Sequence, residues 1–571
     1  MNDELADLFE EFADRLEARG VEYKPRAYRT AAENIRTHPE DVAALAADGP
    51  EAVQGIEGVG EAIAGKVVEY AETGTIEELE AEREKLPVDM PALTAVEGVG
   101  PKTVGTLYEE LGVTDLDDLE AAAEAGEIRA VEGFGPTSEA NIREAVAYAR
   151  QARERTRLGD ARPLAEAAMG ALSGVERCEP AGSLRRWRET VGDVDLLAPA
   201  DDPGAVVASF TDWARADEVI EAGNTRASVR VDGARVDLRV VAPGEFGAAL
   251  QYFTGSREHN IRLRNRAVGR DLKVNEYGVF DISEVEDEAG QRVGERVAGD
   301  TEEGVYGALG LPWIPPELRE DRGEIAAAAD GDLPDLVEPA DIRGDLHVHT
   351  DWSDGDLSLP EIVGAAAAFG HDYVCITDHA DGPGVPAGVG LSDAELREQA
   401  DAVAALDADI EVLAGVEANV DAGGELDVAD DLLADLDLVI ASPHSGLGGD
   451  GTDRLVAAVE HPAVDVLGHP TGRLVNERSG LAVDVERVAA AAADCGTALE
   501  VNSNPARLDL AGGPVRTALD AGATVAVNTD AHAPPEFAYV EYGVHTARRG
   551  WAEAGDVLNA RGPEELRAVL E

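Results

Sequence analysis

The run Asp345-Leu346-His347-Val348-His349 is the first of seven short apolar runs in the C-terminal part of the chain. The other six share strand length, β-branched residues and a polar group at or near the end: 373–379 (YVCITDH), 411–417 (EVLAGVE), 438–444 (LVIASPH), 464–469 (VDVLGH), 498–502 (ALEVN) and 524–532 (TVAVNTDAH). Most of the segments between them have a helical pattern. We therefore predict seven strand–helix repeats, which is the plan of a (β/α) barrel.

Six of the eleven histidines lie at the ends of these runs, together with several carboxylates. Barrels of this kind do their chemistry on the face formed by the carboxyl ends of the strands. Imidazoles and carboxylates that converge at one place are ligands for transition metals. The sequence therefore predicts a metal-dependent hydrolase in this part of the chain.

The charge of the chain is extreme, with a formal value of −67 at pH 7. Its hydrophobic content of 44% and clear periodicity argue against disorder. A carboxylate-rich surface stays hydrated in very high salt, where its self-repulsion is screened within about 3 Å at 1 M. We therefore expect a folded protein adapted to high salt. Lysine is scarce, and its occurrences are Lys24, Lys66, Lys85, Lys102 and Lys273.

Length and composition bound the class of protein. A chain of 571 residues predicts about four domains. No apolar run reaches the ~18 residues that a membrane span needs, and the acidic N-terminus does not resemble a signal peptide. The cysteines Cys178, Cys375 and Cys495 are far apart and match no zinc spacing, which indicates a reducing compartment. We expect a cytoplasmic, monomeric protein with no membrane partner.

The first 150 residues are helical by pattern and contain one motif three times. Its copies are IEGVG with Gly58 and Gly60, VEGVG with Gly98 and Gly100, and VEGFG with Gly133 and Gly135. A Gly-x-Gly turn before a helix presents backbone N–H groups to an anion. A single copy is equally consistent with a tight helical turn. The repetition favours helix-hairpin-helix contacts to the DNA backbone, which are independent of base sequence.

The middle of the chain contains a carboxylate motif. Asp193 and Asp195 in the run GDVDLL face the same side of a predicted strand, and Asp237 lies in a second predicted hairpin, 228–241. Three carboxylates on neighbouring strands can hold two Mg²⁺ ions for phosphoryl transfer. Gly182, Ser183 and Arg186, in GSLRR, are candidates to bind triphosphate oxygens. An isolated Asp-x-Asp is usually a solvated strand face, but the preceding Gly-Ser and the third carboxylate argue against that reading.

These motifs resemble the family X DNA polymerases, whose familiar member is DNA polymerase beta. The matching runs are GSLRR (182–186), GDVDLL (192–197), RVDLRVV (235–241), QYFTGS (251–256), KVNEY (273–277) and LGLPWIPP (309–316). The resemblance implies a nucleotidyltransferase fold, Mg²⁺ or Mn²⁺ at the carboxylates, and DNA and deoxynucleoside triphosphates as partners. It implies that Tyr252, Phe253 and Gly255 line the sugar of the incoming nucleotide, Asn260 its base edge, and Arg264 the template.

The region around these residues is unusually basic for so acidic a chain and is expected to face phosphates. Its members are Arg257, Arg262, Arg264, Arg266, Arg270 and Lys273. The N-terminal part resembles the lyase domain of the same family. That resemblance places Lys66 at the lysine that forms a Schiff base with 5′-deoxyribose phosphate, whereas Ala62 replaces a second lysine usual there. The alternative for Lys66 is a surface lysine on a helix.

Residues 343–571 resemble the PHP (polymerase and histidinol phosphatase) domain. The resemblance implies nine metal ligands: His347, His349, Asp354, His379, Glu417, His444, His469, Asp530 and His532. It implies three ions, Mn²⁺ or Zn²⁺, with Glu417 bridging. Asp354 stands where some relatives have histidine, which makes that position a harder ligand that accepts manganese. Such a site supports phosphoester hydrolysis: a 3′→5′ exonuclease, a 3′-phosphatase or cleavage at an abasic site.

The whole sequence therefore predicts a multidomain protein with this order: a helical lyase-like domain (1–85), a helix-hairpin-helix fingers-like domain (86–158), an α+β palm (159–242), a thumb-like domain (243–320), a linker (321–342) and a distorted (β/α)7 PHP barrel (343–571). The predicted function is a family X DNA polymerase that fills short gaps in repair and processes 3′ ends. Two alternatives stay open. One is a histidinol-phosphatase-like enzyme with a DNA-docking part, and the other is a non-catalytic scaffold that binds DNA ends.

Overall fold

The structure is a computed structural model that describes the chain except residues 1, 22–23, 37–41, 48, 57, 95, 97, 132, 154, 174, 286–289, 387 and 571. The chain divides into two compact units, each of which is described by itself. One contains residues 1–154 and 476–479, and the other contains residues 155–475 and 480–571. Within the described residues, none of the helices combines the length and apolar character of a membrane span.

The first unit is built from helices: α1 Asn2–Ala18, α2 Lys24–Arg36, α3 Val42–Ala47, α4 Pro50–Val53, α5 Glu61–Thr73, α6 Glu77–Lys85, α7 Met90–Thr94, α8 Pro101–Leu111, α9 Leu116–Ala125 and α10 Pro136–Arg153. The repeated motif forms the turns before α5, α8 and α10. Its first glycines have left-handed backbones, with φ of 74° at Gly58, 82° at Gly98 and 94° at Gly133. Gly60 and Gly100 cap the helices that follow, and the Gly135 carbonyl accepts a hydrogen bond from Glu139 in α10.

The palm holds β1 Thr156–Arg157, α11 Leu158–Ala171, β2 Glu179–Pro180, α12 Gly182–Arg185, β3 Thr190–Val191, β4 Val194–Pro199, α13 Pro203–Thr211, β5 Glu218–Ala222, β6 Arg226–Val231 and β7 Ala234–Val241. Five strands form one sheet in the order β2-β4-β7-β6-β5. The predicted hairpin is present, since β6 and β7 pair antiparallel across Asp232-Gly233. Strand β7 buries Val236, Leu238 and Val240, so the intervening Asp237 lies on the opposite face.

The thumb follows with α14 Phe246–Thr254, α15 Arg257–Val268, β8 Leu272–Asn275, β9 Gly278–Asp281, β10 Glu295–Ala298 and α16 Glu302–Ala308. The segment 321–342, expected to be a linker, is folded. It contains α17 Glu324–Asp330, and Ala328, Leu336 and Val337 are buried. The Val337 amide donates to the Ala552 carbonyl of the barrel. The alanine-rich composition that suggested a linker instead supplies a short helix.

The C-terminal domain is a nearly closed barrel, as predicted. Its elements are β11 Gly344–Val348, α18 Leu359–Phe369, β12 Tyr373–Ile376, α19 Asp393–Ala404, β13 Glu411–Asn419, α20 Asp430–Leu433, β14 Leu438–Ser442, α21 Thr452–Val459, β15 Val466–Leu467, α22 Val485–Cys495, β16 Ala498–Asn502, α23 Gly512–Asp520, β17 Val525–Asn528, α24 Val540–Arg549 and α25 Pro563–Leu570. Its seven strands pair in parallel in chain order. A bridge between Val348 and Ala531 joins the first and last strands.

The palm and the barrel pack directly against each other. Trp187 of the palm stacks on His545 of α24, with ring centroids 3.7 Å apart and planes 7° apart. Arg549 Nη1, also in α24, lies 2.9 Å from the Glu189 carboxylate. Leu508 of the barrel belongs to the apolar core of the palm. Aromatic stacking, a buried ion pair and shared apolar burial thus hold the two domains together.

Candidate active sites

The nine predicted ligands of the barrel all lie at the carboxyl ends of its strands. His347 and Glu417 are inside β11 and β13, and the others follow strands β11, β12, β14, β15 and β17. Alternation along β11 directs His347 and His349 to the same side of the strand. The regular strand order therefore brings together side chains that are up to 185 positions apart in sequence, from His347 to His532.

Glu417 is the centre of this cluster. Its Oε2 is 2.7 Å from His379 Nδ1, and its Oε1 is 3.1 Å from His444 Nε2 and 3.0 Å from His469 Nε2. His347 Nε2 lies 3.5 Å from Oε2 of the same carboxylate. The carboxylate therefore faces imidazoles from several strands with both oxygens, as a bridging ligand must.

Asp530 and Asp354 extend the cluster to either side. Asp530 Oδ1 is 3.1 Å from His349 Nε2, and Asp354 lies 3.4 Å from both His379 Nε2 and His532 Nε2. Three overlapping groups have all their donor atoms within 4.8 Å of one another: His349, Asp354, His379 and His532; His347, His349 and Asp530; and His379, Glu417 and His444. His469 contacts Glu417 but belongs to none of these groups.

The donor atoms fit metal ions by their hydrogen bonding as well as by their spacing. Among the residues that the structure describes, the buried atoms without a hydrogen-bond partner include His347 Nε2, both ring nitrogens of His349, both oxygens of Glu417, and His444 Nε2. Buried polar atoms are normally satisfied, since leaving them without a partner is costly. Imidazole nitrogens and carboxylate oxygens are ligands for zinc and manganese. These residues therefore suit resident transition-metal ions.

The protonation states give the same picture. Burial alone would raise the pKa of Glu417, but His444, His379 and His347 outweigh it and hold that pKa well below its ordinary value. Burial lowers the pKa of His379, but the Glu417 and Asp354 carboxylates outweigh it and raise that pKa to about 10. The ionised carboxylates thus require positive charge between them. Bound cations supply that charge in exchange for protons on the imidazoles.

Sequence reasoning missed the outer residues that orient these ligands. Glu500 in β16 accepts from His347 Nδ1 at 2.7 Å and from the His469 amide at 2.6 Å. Asn419 Oδ1 lies 2.5 Å from His444 Nδ1. Such partners fix the ring tautomer and turn the other nitrogen toward the metal. The available signal was a glutamate between two apolar residues, Leu499 and Val501, in a run with strand character; the structure shows that the whole strand is buried.

The palm brings its three predicted carboxylates together. Asp195 and Asp237 are direct neighbours in the parallel pair of β4 and β7, and Asp193 immediately precedes β4. Burial, then the charges of Asp237 and Asp193, raise the pKa of Asp195 to about 6. Arg235 Nε donates to Asp237 Oδ1 at 2.8 Å. Acidic groups that repel one another at such short range are typical of a site built for divalent cations.

Gly182 makes room for this carboxylate group. It has a left-handed backbone, with φ of 60°, and a Cβ at this position would lie 2.3 Å from Asp195 Oδ2. A cavity of about 200 Å³ opens beside the carboxylates and is also lined by Arg239 and Phe253. The Tyr252 and Phe253 rings pack edge to face with centroids 5.2 Å apart. The predicted sugar-side residue Phe253 therefore lies at the carboxylate pocket.

Two predicted nucleotide contacts are engaged within the protein. Arg186 Nη1 donates to the Thr254 carbonyl at 2.7 Å, and its Nε donates to Glu320 at 2.8 Å. Asn260 accepts from Gln251 Nε2 at 2.9 Å and donates to the carbonyls of Tyr252 and Gly255 at 2.7 and 3.2 Å. In this structure Asn260 stabilises the turn that carries the predicted sugar-side residues. Sequence spacing could not show these internal partners.

The remaining predicted contacts differ in exposure. Ser183 is half-buried in α12 beside Gly182. Arg264 is exposed on α15, and its Nε donates to the Asn260 carbonyl at 3.4 Å. Arg262, in the same basic group, forms an ion pair with Asp321. Arg264 is therefore presented to solvent, whereas part of the basic group is neutralised by the acidic chain itself.

Lys66 lies on α5 after the first hairpin, as predicted, but its surroundings favour the ammonium form. Its Nζ is 2.6 Å from Glu78 Oε2. Burial would lower the pKa of Lys66, but Glu78 and Tyr28 outweigh it and raise that pKa above its ordinary value. A Schiff base requires a neutral amine as nucleophile. The ion pair with Glu78 therefore opposes the predicted lyase chemistry.

Comparison with protein families matches most of this architecture. A helix-hairpin-helix domain matches residues 1–76, and a SAM-like helix-hairpin-helix tandem matches residues 90–147. The DNA polymerase beta thumb matches residues 249–320. The PHP domain matches residues 345–504, a stretch that includes Asp354 and Glu417. The order of these matches is the order predicted from the sequence.

Individual relatives extend the likeness to the whole chain. The chain is 34% identical over 581 aligned residues to DNA polymerase/3′-5′ exonuclease PolX of Bacillus subtilis, covering 100% of this chain and 99% of that protein. It is 25% identical to DNA polymerase lambda of Rattus norvegicus over 55% of this chain and 56% of that protein. It is 33% identical to a probable phosphatase of Caldanaerobacter subterraneus over 33% of this chain and 75% of that protein. With a full-length likeness at this level, the chain belongs to the family X DNA polymerases that carry a C-terminal PHP domain.

Proposed function

We propose that this protein is a DNA-directed DNA polymerase that fills short gaps during DNA repair and also hydrolyses 3′ ends in the 3′→5′ direction. One observation carries the proposal. A single compact unit contains both the in-register pair Asp195 and Asp237 and the cluster of imidazoles and carboxylates around Glu417. The first suits nucleotide addition and the second suits phosphoester cleavage.

At the palm, Asp193, Asp195 and Asp237 would hold Mg²⁺ or Mn²⁺. When bound, such ions would supply positive charge to the transferring phosphoryl group and to the 3′ hydroxyl. The protein contributes the geometry around them. Arg235 fixes the rotamer of Asp237 through its 2.8 Å hydrogen bond, and Gly182 leaves space beside Asp195.

Substrate binding at the palm requires one exchange of partners. Arg186 pairs with Glu320 in this structure, and its guanidinium would leave that carboxylate to bind the triphosphate. Phe253, which lines the carboxylate cavity, would pack against the sugar of the incoming nucleotide. The exposed Arg264 would meet the template. The helix-hairpin-helix turns would hold the DNA backbone through the amides that follow each glycine pair.

At the barrel, the nine predicted ligands would hold three ions, Mn²⁺ or Zn²⁺, and Glu417, whose two oxygens both face imidazoles, would be the central ligand. Such ions acidify water and clamp a phosphate. Glu500 and Asn419 fix the tautomers of His347 and His444, so that Nε2 of each ring stays available as a donor atom. Burial raises the pKa of Asp354, but hydrogen bonds from His379 and His532 outweigh it and hold that pKa far below its ordinary range. Asp354 is therefore an ionised ligand. We propose that the protein acts as a monomer in the cytoplasm.

The test is a pair of assays in molar KCl with Mg²⁺ and Mn²⁺ compared. Primer extension on a short-gap duplex measures the palm, and digestion of a 3′-labelled strand measures the barrel. We expect both activities in one chain. Hydrolysis of histidinol phosphate without primer extension would instead support a phosphatase with a DNA-docking part. DNA binding without either activity in metal-loaded protein would support a non-catalytic scaffold.

A further inference from the structure

The loop after strand β16 brings an arginine to the metal cluster of the barrel. Arg507 Nε lies 3.6 Å from Asp530 Oδ2. The other oxygen of Asp530, Oδ1, lies 3.1 Å from His349 Nε2. Arg507 therefore lies beside Asp530, which is one of the nine predicted metal ligands, and is separated from His349 by that carboxylate.

The guanidinium of Arg507 has unused hydrogen-bond donors within the described part of the chain. At 3.6 Å its approach to Asp530 is too long for a normal hydrogen bond. Within the part of the chain that the structure describes, no hydrogen bond engages its side chain, although the side chain is only 22% exposed. This is unusual in a protein with 115 acidic residues and 48 lysines and arginines. A guanidinium is permanently charged, and its planar fork of donors fits the oxygens of a phosphate.

The backbone on either side of Arg507 is fixed from two directions. Within the barrel, the guanidinium of Arg473 donates to the Arg507 carbonyl at 2.9 Å and to the Leu508 carbonyl at 2.5 Å. Toward the palm, Leu508 is 1% exposed and packs in the palm core. Pro505 lies so close to Gly159 of α11 that a Cβ on the glycine would be 2.6 Å from the proline Cβ.

We propose that Arg507 binds a phosphate of the DNA strand at the hydrolytic site, and that the palm positions it through Pro505 and Leu508. The inference rests on the proposed hydrolytic function of the barrel and adds a substrate contact to it. It also makes the polymerase palm a structural part of the hydrolytic site. Arg507 touches substrate, whereas Gly159 acts only by positioning the loop.

The first test replaces Arg507 with alanine and with lysine. We expect Arg507→Ala to raise KM for 3′-end hydrolysis about tenfold to a hundredfold, since one charge-assisted contact to phosphate is lost. Arg507→Lys should recover part of the loss because it keeps the charge without the fork. Metal content per chain and primer extension should equal those of wild type.

Three results would overturn the inference. Unchanged hydrolysis kinetics in Arg507→Ala would remove Arg507 from substrate binding. A fall in metal content, with KM unchanged, would show that Arg507 only supports Asp530. A wild-type protein that binds metal but leaves 3′ ends intact would defeat the hydrolytic function itself, and this inference with it. The second outcome differs from the third because wild type remains active.

The second test addresses the palm. Gly159→Ala places a methyl group against the rigid ring of Pro505 and should displace the loop, whereas for the control Gly170→Ala, on the same helix, no atom of the described residues lies within 4 Å of a Cβ at that position. Alanine favours a helix over glycine at both positions, but displacing the loop costs Gly159→Ala some stability, so thermal melts should confirm that both variants are folded at the assay temperature. We expect a several-fold higher KM for hydrolysis in Gly159→Ala alone, with metal content unchanged. Equal KM values in the two variants would show that the palm does not position Arg507.

Discussion

Replacing Gly182 with alanine should impair nucleotide addition and leave 3′-end hydrolysis intact. The added Cβ would lie 2.3 Å from Asp195 Oδ2, while φ at this position is 60°. The substitution therefore strains the backbone of residue 182, and it also pushes the new methyl group against the Asp195 carboxylate. No residue of the barrel site is near this glycine in the described contacts.

The magnitude follows from the geometry. Carbon–oxygen contacts shorter than 3.0 Å are essentially never tolerated by a Cβ, so the Asp195 carboxylate must move by about 1 Å. A misplacement of that size at a catalytic group lowers the rate by about a hundredfold. The left-handed backbone adds about 1–2 kcal/mol of strain for a residue with a side chain. We therefore expect kcat for incorporation to fall by about two orders of magnitude, with a modest loss of stability.

The assay is single-nucleotide gap filling, with 3′-end digestion measured on the same preparations. Gly192→Ala is the matched control, because it adds the same methyl next to Asp193 and its nearest atom would be Arg155 Nη1 at 3.6 Å. The control should incorporate nucleotides like wild type. If Gly182→Ala also did so, the close approach to Asp195 would not constrain the site, and the reasoning would be refuted.

Further substitutions and conditions test the other parts of the argument. Asp237→Ala should abolish primer extension and spare hydrolysis, whereas Glu417→Ala should abolish hydrolysis, release metal and spare extension; loss of both activities in either folded variant would contradict separate sites. Burial and the neighbouring Asp237 and Asp193 raise the pKa of Asp195 from 3.8 to about 6. The ionised Asp195 therefore lowers the stability of metal-free folded protein, fully so above about pH 6, and this loss of stability disappears below about pH 4, where the carboxyl is protonated in both states. Asp195→Asn in chelator should therefore raise Tm at pH 7, by the equivalent of about 1–3 kcal/mol, and the gain should shrink toward pH 4 in thermal melts; a gain that grew on acidification would reverse this sign. Polymerase activity should rise from dilute buffer to an optimum in molar KCl, because screening relieves both self-repulsion and repulsion of DNA by a chain of −67; a steady decline, with the fold intact by circular dichroism, would exclude adaptation to high salt.

The sequence was most informative where local pattern and final position coincide. The seven strands were predictable because each is a short run rich in β-branched residues, and their parallel order places His379, Glu417 and His444 on one face of the barrel. Alternation in β4 and the tight turn before β7 predicted carboxylates on neighbouring strands, whereas the parallel register that sets Asp195 beside Asp237 was seen only in the structure. The predicted features depend on periodicity, which a single sequence contains.

What the sequence could not show depends on packing between distant segments. Glu500 is one of many glutamates until β16 places it under His347. Arg186 is paired with Glu320, which is 134 positions away. The alanine-rich segment 321–342 has a linker-like composition, yet it is held by contacts such as that between Val337 and Ala552. Composition describes a segment's own preferences and carries no information about the surface it meets.

The insertion of Leu508 into the palm has a consequence for how this chain can be divided. A fragment that begins at residue 343 would expose Leu508, of which 1% is now accessible, to water, and a palm without the barrel would lack that side chain in its core. It would also uncover His545, which now stacks on Trp187, and separate Arg549 from Glu189. The barrel is therefore not a detachable module in this protein. Exchange of the barrel between relatives should succeed only when the surface of the palm that receives it is exchanged as well.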